Sequence, residues 1–278
     1  MSDYGIMQNA LRGEALDDVF ILDAHGHLDF WKVTPNRRTD AGAIVAAMDH
    51  LGVDMVCINK WNCPDIYRGN ADVATAVRGY PGRFVGFAAT APAVGREKNL
   101  AELRRCFDDL GFKGVKVHNG YETLPFRDTA ALRLATDALE AIWEFCHERR
   151  CPVLCHGFLT PEYAKQYPEA RFIAAHAGGC RHYTETYGNC PNVYFDTANS
   201  LTLAGNIEHF VDCGMADRVL YGSDLPYASQ AYRFGQVVAS RLPDPVMRKI
   251  LGENMAAVLG LEIPAKYRES GTLTGRMT

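Results

Sequence analysis

Eight short apolar runs, each followed by a segment with helical spacing, restrict the fold of this chain more than any other feature. The runs lie at 19–22, 55–58, 84–88, 115–118, 153–155, 172–175, 193–195 and 219–221. They are continuous rather than alternating and rich in Val, Ile and Phe, the pattern of strands covered on both faces. Segments at 41–51, 70–80, 97–110, 129–150, 161–167, 181–187, 204–213 and 228–242 carry helical periodicity, and several stop at glycine, as at Leu51-Gly52 and Leu110-Gly111. Eight β/α units in 278 residues predict a (β/α)8 TIM barrel first and an open doubly wound sheet second. No Gly-x-Gly-x-x-Gly follows the first run, so the dinucleotide fingerprint of the open sheet is missing.

The polar residues at the ends of the runs favour the barrel as well. His25 and His27 follow the first run, His118 ends the fourth, and His156, His176 and Asp224 follow the fifth, sixth and eighth. Only a closed ring brings all of these together, at the carboxyl ends of its strands. One domain over 1–278 is expected, with the barrel at about 19–260 and a loosely held polar tail at about 262–278.

Composition narrows the function classes. With 29 basic and 33 acidic residues, a net charge of -4 and no basic stripe, a nucleic-acid partner is not expected. The first twenty residues lack the layout of a secretory signal, and no stretch reaches the roughly 18 apolar residues of a membrane span. A cytoplasmic protein is the resulting expectation. Nine cysteines without a Cys-x-x-Cys pair read as reduced thiols, with Cys57 and Cys155 as small core residues. A small-molecule substrate and a possible homodimer complete the expected partners.

The segment Asp23-Ala24-His25-Gly26-His27 is read as placing Asp23, His25 and His27 on one strand face, where two imidazoles can share a cation. A His-x-His pair alone is weak evidence, because it also occurs by chance at polar strand ends. His156 and His176 repeat the order apolar strand, histidine, then glycine within two residues; each alone is more often a hydrogen-bonded core histidine. Asp224 follows Tyr-Gly-Ser, where an aspartate could instead cap the next helix. Together the four sites point to a metal.

In these motifs the chain resembles the metal-dependent amidohydrolase superfamily, in the branch of aminocarboxymuconate-semialdehyde decarboxylase and its hydrolase relatives. The matching pieces are Asp-Ala-His-Gly-His at 23–27, Phe-Lys-Gly-Val-Lys-Val-His at 112–118, Cys-His-Gly at 155–157, Ala-His-Ala-Gly-Gly at 175–179 and Tyr-Gly-Ser-Asp-Leu-Pro at 221–226. The resemblance implies that His25, His27, His156 and Asp224 bind a metal and that His176 is the catalytic acid or base. In other branches a carboxylated lysine on strand four bridges two metals, so Lys116 has three readings: bridge, anion-binding cation or structural ion pair.

Three imidazoles and a carboxylate suit one Zn2+, with Mn2+ or Fe2+ as alternatives. Such a cation activates water, whose proton Asp224 and His176 would handle, while Asp23 would orient an imidazole. Lys60, Trp61, Lys116, His118, Asn119, Phe158 and Tyr227 are the candidate substrate contacts, with Phe30, Trp31, Tyr121 and Asn199 also near the mouth. Aromatic and cationic groups side by side suggest a planar or unsaturated carboxylate. The stretch between the first run and its helix is about a dozen residues, shorter than in part of the decarboxylase group. That departure counts against aminocarboxymuconate as the substrate. The leading expectation is a hydrolase of a small carboxylated ester, lactone or amide. Non-oxidative decarboxylation is the alternative, and a catalytically silent binding barrel the third reading.

Overall fold

The computed structural model describes residues 4–14, 16–28, 39–63, 65–118, 129–198 and 204–268. Eight strands follow one another around a ring: β1 (Leu22–His27), β2 (Met55–Asn59), β3 (Phe84–Ala89), β4 (Gly114–His118), β5 (Pro152–His156), β6 (Arg171–Ala174), β7 (Val193–Asp196) and β8 (Val219–Leu220). Every neighbouring pair is parallel. The ring closes where β8 meets β1, through Ala24 N to Tyr221 O at 2.8 Å, Asp224 N to His25 O at 2.7 Å and His27 N to Leu225 O at 2.7 Å. The molecule is a (β/α)8 barrel.

Helices cover the outside: α1 (Gly5–Leu11), α2 (Ala41–Leu51), α3 (Ile66–Gly79), α4 (Arg96–Arg104), α5 (Thr129–Arg149), α6 (Pro161–Gln166), α7 (Cys180–Tyr187), α8 (Asn206–Asp212), α9 (Gln230–Val238), α10 (Asp244–Arg248), α11 (Asn254–Leu259) and α12 (Ala265–Arg268). Side chains of Asp40, Asp65, Thr160 and Ser229 accept from amides in the first turns of α2, α3, α6 and α9, satisfying donors a helix start leaves open. Gly52 closes α2 at φ 72, a conformation that favours glycine.

Alternation along the strands separates two apolar layers. Leu22, Ala24, Cys57, Val85, Phe87, Leu154, Ile173 and Leu220 fill the barrel interior together with Met255 of α11. Val56, Ile58, Phe84, Val115, Val117, Val153, Cys155, Phe172, Val193, Phe195 and Val219 pack outward against Met48, Leu103, Ile142 and Trp143 of the helices. Burying each large side chain contributes roughly 1.5–3 kcal/mol. The interior is tight: a Cβ on Gly114 would meet the Phe87 ring at 2.5 Å. Cys155 belongs to the outer layer, on the opposite face from His156, as the sequence suggests.

Three elements differ from the sequence expectation. The first strand begins where the apolar run ends and continues through Asp23 to His27, because its polar groups are paired inside the protein and need no apolar signal. α1 is an additional helix, its Gly5 and Ile6 amides received by both oxygens of Asp244. The tail is ordered as far as α12, where Tyr267 packs 5.6 Å from Phe20 and its hydroxyl donates to Asp54. Among the described residues, no helix is long and apolar enough to cross a membrane.

Candidate metal centre and active site

The polar residues of the barrel mouth arrive on successive strand ends, but β1 is not a simple alternating strand. Its register against β2 shifts between Asp23 and Gly26. Leu22 and Ala24 lie in the interior layer, whereas Asp23 turns towards α9: Oδ1 accepts from Ser223 N at 2.9 Å and Oδ2 from Gln230 Nε2 at 3.0 Å. The irregularity then brings His25 and His27 inward. Asp23 therefore does not share the imidazole face and does not orient a ring. It joins β1 to the segment after β8 instead.

Asp224 and His176 stand at φ 62 and 61, and Phe158 at φ 64. For residues other than glycine this left-handed conformation costs on the order of 1–2 kcal/mol each. His176 and Asp224 reach the cluster from this position, whereas Phe158 packs against the outer layer.

The hydrogen bonds around the imidazoles fix which nitrogens are free. Asn59 donates from Nδ2 to Gly26 O at 3.1 Å, so its Oδ1, 3.0 Å from His27 Nδ1, accepts from that nitrogen. His25 Nδ1 donates to Asp196 Oδ2 at 2.8 Å, and His176 Nδ1 to Ala198 O at 2.8 Å. Each neutral ring therefore keeps its lone pair on Nε2. His27 Nε2 lies 2.9 Å and His25 Nε2 3.6 Å from Asp224 Oδ1. Lone pairs facing a carboxylate at these distances repel one another unless a cation stands among them.

Burial strengthens that demand. It pushes His25 well below its usual value, with the Lys116 ammonium adding to the effect, and lowers His27 against the opposing pull of Asp224. His118 is brought down to about 2 and His156 to about 4, chiefly by burial. Burial alone would raise Asp224, but its bond to His27 and the neighbouring imidazoles hold it well below the usual carboxylate range. Neutral imidazoles and an ionised carboxylate are the protonation states a divalent metal requires. Among the described residues, His25, His176 and Asp224 each offer a ligand atom within 4.8 Å of the other two. These residues fit a metal ion.

Lys116 is fully buried, and its Nζ lies 3.1 Å from His25 Nε2. Burial lowers its ammonium to about 8, opposed by Asp224 and Asp196. His118 stacks on Trp61 with centroids 3.6 Å apart and planes 4° apart, and lies 4.1 Å from His156. Tyr227 completes this wall, 4.8 Å from the His27 ring.

Of the expected ligands, His25, His27 and Asp224 meet directly. His156 is half-buried, its ring 4.7 Å from that of His176, and both His27 and His156 fall outside the 4.8 Å triad. His176, expected as acid or base, lies inside the triad. Among the expected substrate contacts, Trp61, Lys116, His118 and Tyr227 gather near the cluster. Lys60 is turned away: its ammonium donates to Asp72 of α3 at 2.7 Å, a nearby carboxylate being the stronger attraction. Phe158 packs against the outer apolar layer. Asn119, with Phe30, Trp31, Tyr121 and Asn199, lies outside the described residues.

Sequence reasoning missed Asp196 and Asn59, the partners of the two first-strand imidazoles. Each is the last residue of its strand, after Val-Tyr-Phe and Met-Val-Cys-Ile, the same signal that located His118 and His156.

The sequence profile of the family described as amidohydrolase matches residues 22–261. Solved structures share the fold at low identity. A 2,6-dihydroxybenzoate decarboxylase complexed with 2,6-dihydroxybenzoate aligns with a TM-score of 0.67 at 17% identity, over 87% of this chain and 100% of that one. A mutant 5-carboxyvanillate decarboxylase from Novosphingobium aromaticivorans, with bound manganese and 3-methoxy-4-hydroxy-5-nitrobenzoic acid, aligns at 0.69 and 16%, over 88% and 98%. A 4-oxalomesaconate hydratase from Rhodopseudomonas palustris aligns at 0.63 and 17%, over 92% and 100%. With a profile match spanning nearly the whole barrel, the chain belongs to the amidohydrolase family.

Proposed function

We propose that this protein is a metal-dependent hydrolase of a small carboxylated ester, lactone or amide. The observation that carries the reading is the set of Nε2 lone pairs on His25, His27 and His176 converging on the Asp224 carboxylate. His25, His27, His156 and Asp224 would hold one divalent cation, Zn2+ by donor type and Mn2+ by analogy with the manganese-bound neighbour, leaving His176 beside it. When bound, that cation supplies Lewis acidity to a carbonyl and lowers the pKa of water towards ~7.

The remaining work belongs to side chains. His176 has Nδ1 tied to the Ala198 carbonyl, so Nε2 is its free base position for the proton of an attacking water. Asp224 is the second acceptor, and Lys116 places an ammonium where a substrate carboxylate would pair with it. The Trp61–His118 stack forms a flat wall suited to a planar group. A second reading, loss of carbon dioxide from a small unsaturated or aromatic carboxylate, draws support from the two decarboxylases that share the fold.

The two reactions are separated by turnover in 18O-labelled water, on a panel of unsaturated carboxylates and their lactones, esters and amides. Hydrolysis places one labelled oxygen in the product carboxyl group. Release of carbon dioxide with an unlabelled organic product would overturn the hydrolase assignment in favour of the lyase. Metal analysis of the same preparation is expected to give one equivalent per chain.

A further inference from the structure

We infer that Asp196 is a positioning residue that dictates the tautomer of His25 and seats His176, so that one buried carboxylate governs both cation affinity and the proton acceptor. The inference rests on the cluster being a cation site, not on which reaction it performs.

Asp196 ends β7, fully buried between β6 and β8. Its Oδ2 receives His25 Nδ1 at 2.8 Å, and its Oδ1 receives the amides of His176 at 2.8 Å and Ala198 at 3.0 Å. The Ala198 carbonyl in turn accepts His176 Nδ1 at 2.8 Å. The segment from Asp196 to Ala198 thus holds the ring of His25 and both the backbone and the ring of His176, at the left-handed backbone position of the latter. A carboxylate can only accept, so His25 must carry its proton on Nδ1 and present Nε2 to the cluster. Lys116, a pure donor at 3.1 Å from that Nε2, requires the same tautomer.

His27 makes the inference sharp, because its partner is an amide. Asn59 has its NH2 occupied by the Gly26 carbonyl and turns oxygen to the ring. At position 196 the constraint is reversed. Two backbone amides occupy Oδ1, so in Asp196→Asn the amide oxygen stays with them and the NH2 group faces His25 Nδ1. Two donors cannot meet there. The ring is expected to move its proton to Nε2, opposite the Lys116 ammonium, whose flexible stem can swing away. The lone pair His25 offers to a cation is then lost. The same substitution type that serves His27 disables His25.

The test uses the full chain with 15N-labelled histidine. In the metal-free wild type, His25 is expected as the Nδ1–H tautomer by long-range 1H–15N correlation, and in Asp196→Asn as Nε2–H. Zn2+ titration should show a loss of 10–100-fold in affinity for Asp196→Asn. An Nε2–H tautomer for His25 in the wild type would overturn the inference even if no variant folds. So would Asp196→Asn with unchanged tautomer and Zn2+ affinity. If the wild type bound no Zn2+, the reading of the cluster as a metal centre would fail, and the tautomer result would still decide the role of Asp196.

Discussion

The ladders from β2 to β7 and the join between β8 and β1 are built on different principles. Along the former, each pair keeps one register throughout, and apolar side chains alternate cleanly between interior and helix layer. At the join, β8 is two residues long and an isolated bridge from Gly26 to Leu225 stands in for a ladder, while β1 on its other side shifts register against β2. Side chains take over: Asp23 receives Ser223 N and Gln230 Nε2, Ser223 Oγ receives Leu225 N, and Asp224 N, at a left-handed backbone position, donates to His25 O. His25, His27 and Asp224 all belong to this irregular join. A regular strand offers inward positions only every second residue. Convergence of three ligands from two adjacent strands needed the periodicity to be broken.

On that contrast, damage to the regular ladders should cost stability and spare metal binding, whereas loss of the carboxylate facing the imidazoles should cost metal binding and spare stability. The largest stability effect is expected for Phe87→Ala. This ring is fully buried against Gly114, and its removal should cost about 3–5 kcal/mol. Urea unfolding reads that loss, and Zn2+ affinity should stay within 2-fold; a parallel loss of affinity would show that the two regions are not separable.

Acid should act at the polar end alone. His25, His27, His118 and His156 are all depressed in the fold, so the unfolded chain takes up protons that the native chain refuses as pH falls below about 6.5. Asp23 and Asp196 are raised to about 6 by burial and work in the opposite sense, gaining protons in the native state between about 6 and 4. Stability of the metal-free protein should therefore fall on acidification from pH 7 to pH 5, the buried imidazoles working against Asp23 and Asp196. Equal urea midpoints at pH 7 and pH 5 would refute this.

Asp224→Asn tests the join from the functional side. The amide can donate to His27 Nε2, which now faces a carboxylate at 2.9 Å, so the metal-free melting temperature should be unchanged or higher. Zn2+ affinity should fall more than about 100-fold, or roughly 3 kcal/mol. A drop in both would mean that Asp224 holds the join together rather than serving the cation.

The smallest effects concern Asp23. Asp23→Ala removes the acceptor of Ser223 N, His25 N and Gln230 Nε2, for a loss of about 2–3 kcal/mol. Asp23→Asn should cost under about 1 kcal/mol. Gln230 Oε1 is buried without a partner among the described residues and can meet the new NH2 by a rotation of its amide. Thermal unfolding of the two variants side by side distinguishes them, and equal losses would reject the proposed rotation.

Much of this was legible in residue order. The runs at 55–58, 84–88, 115–118, 153–155, 172–175 and 193–195 fall on β2 to β7 within a residue or two at each end, because strand burial on both faces leaves a local, continuous apolar mark. The positions of His25, His27, His118, His156, His176 and Asp224 at strand ends were readable for the same reason. Lys60 was misplaced because a strand-end lysine looks the same whether it faces the mouth or an acidic residue on the next helix.

What the sequence by itself determined is the periodic part: eight strands, eight helices and a ring of polar residues at one end, all set by patterns a few residues long. The tertiary structure alone decided which atom meets which. Asp196 finds His25 across 171 positions and Ser223 finds Asp23 across 200. The shift that turns Asp23 outward and His25 inward is a matter of register against β2, with Gly26 packed where a Cβ would meet Val56 at 2.5 Å. Hydrogen-bond direction, and hence the free nitrogen of each imidazole, is a property of pairs, and pairs this distant in sequence exist only once the barrel has closed.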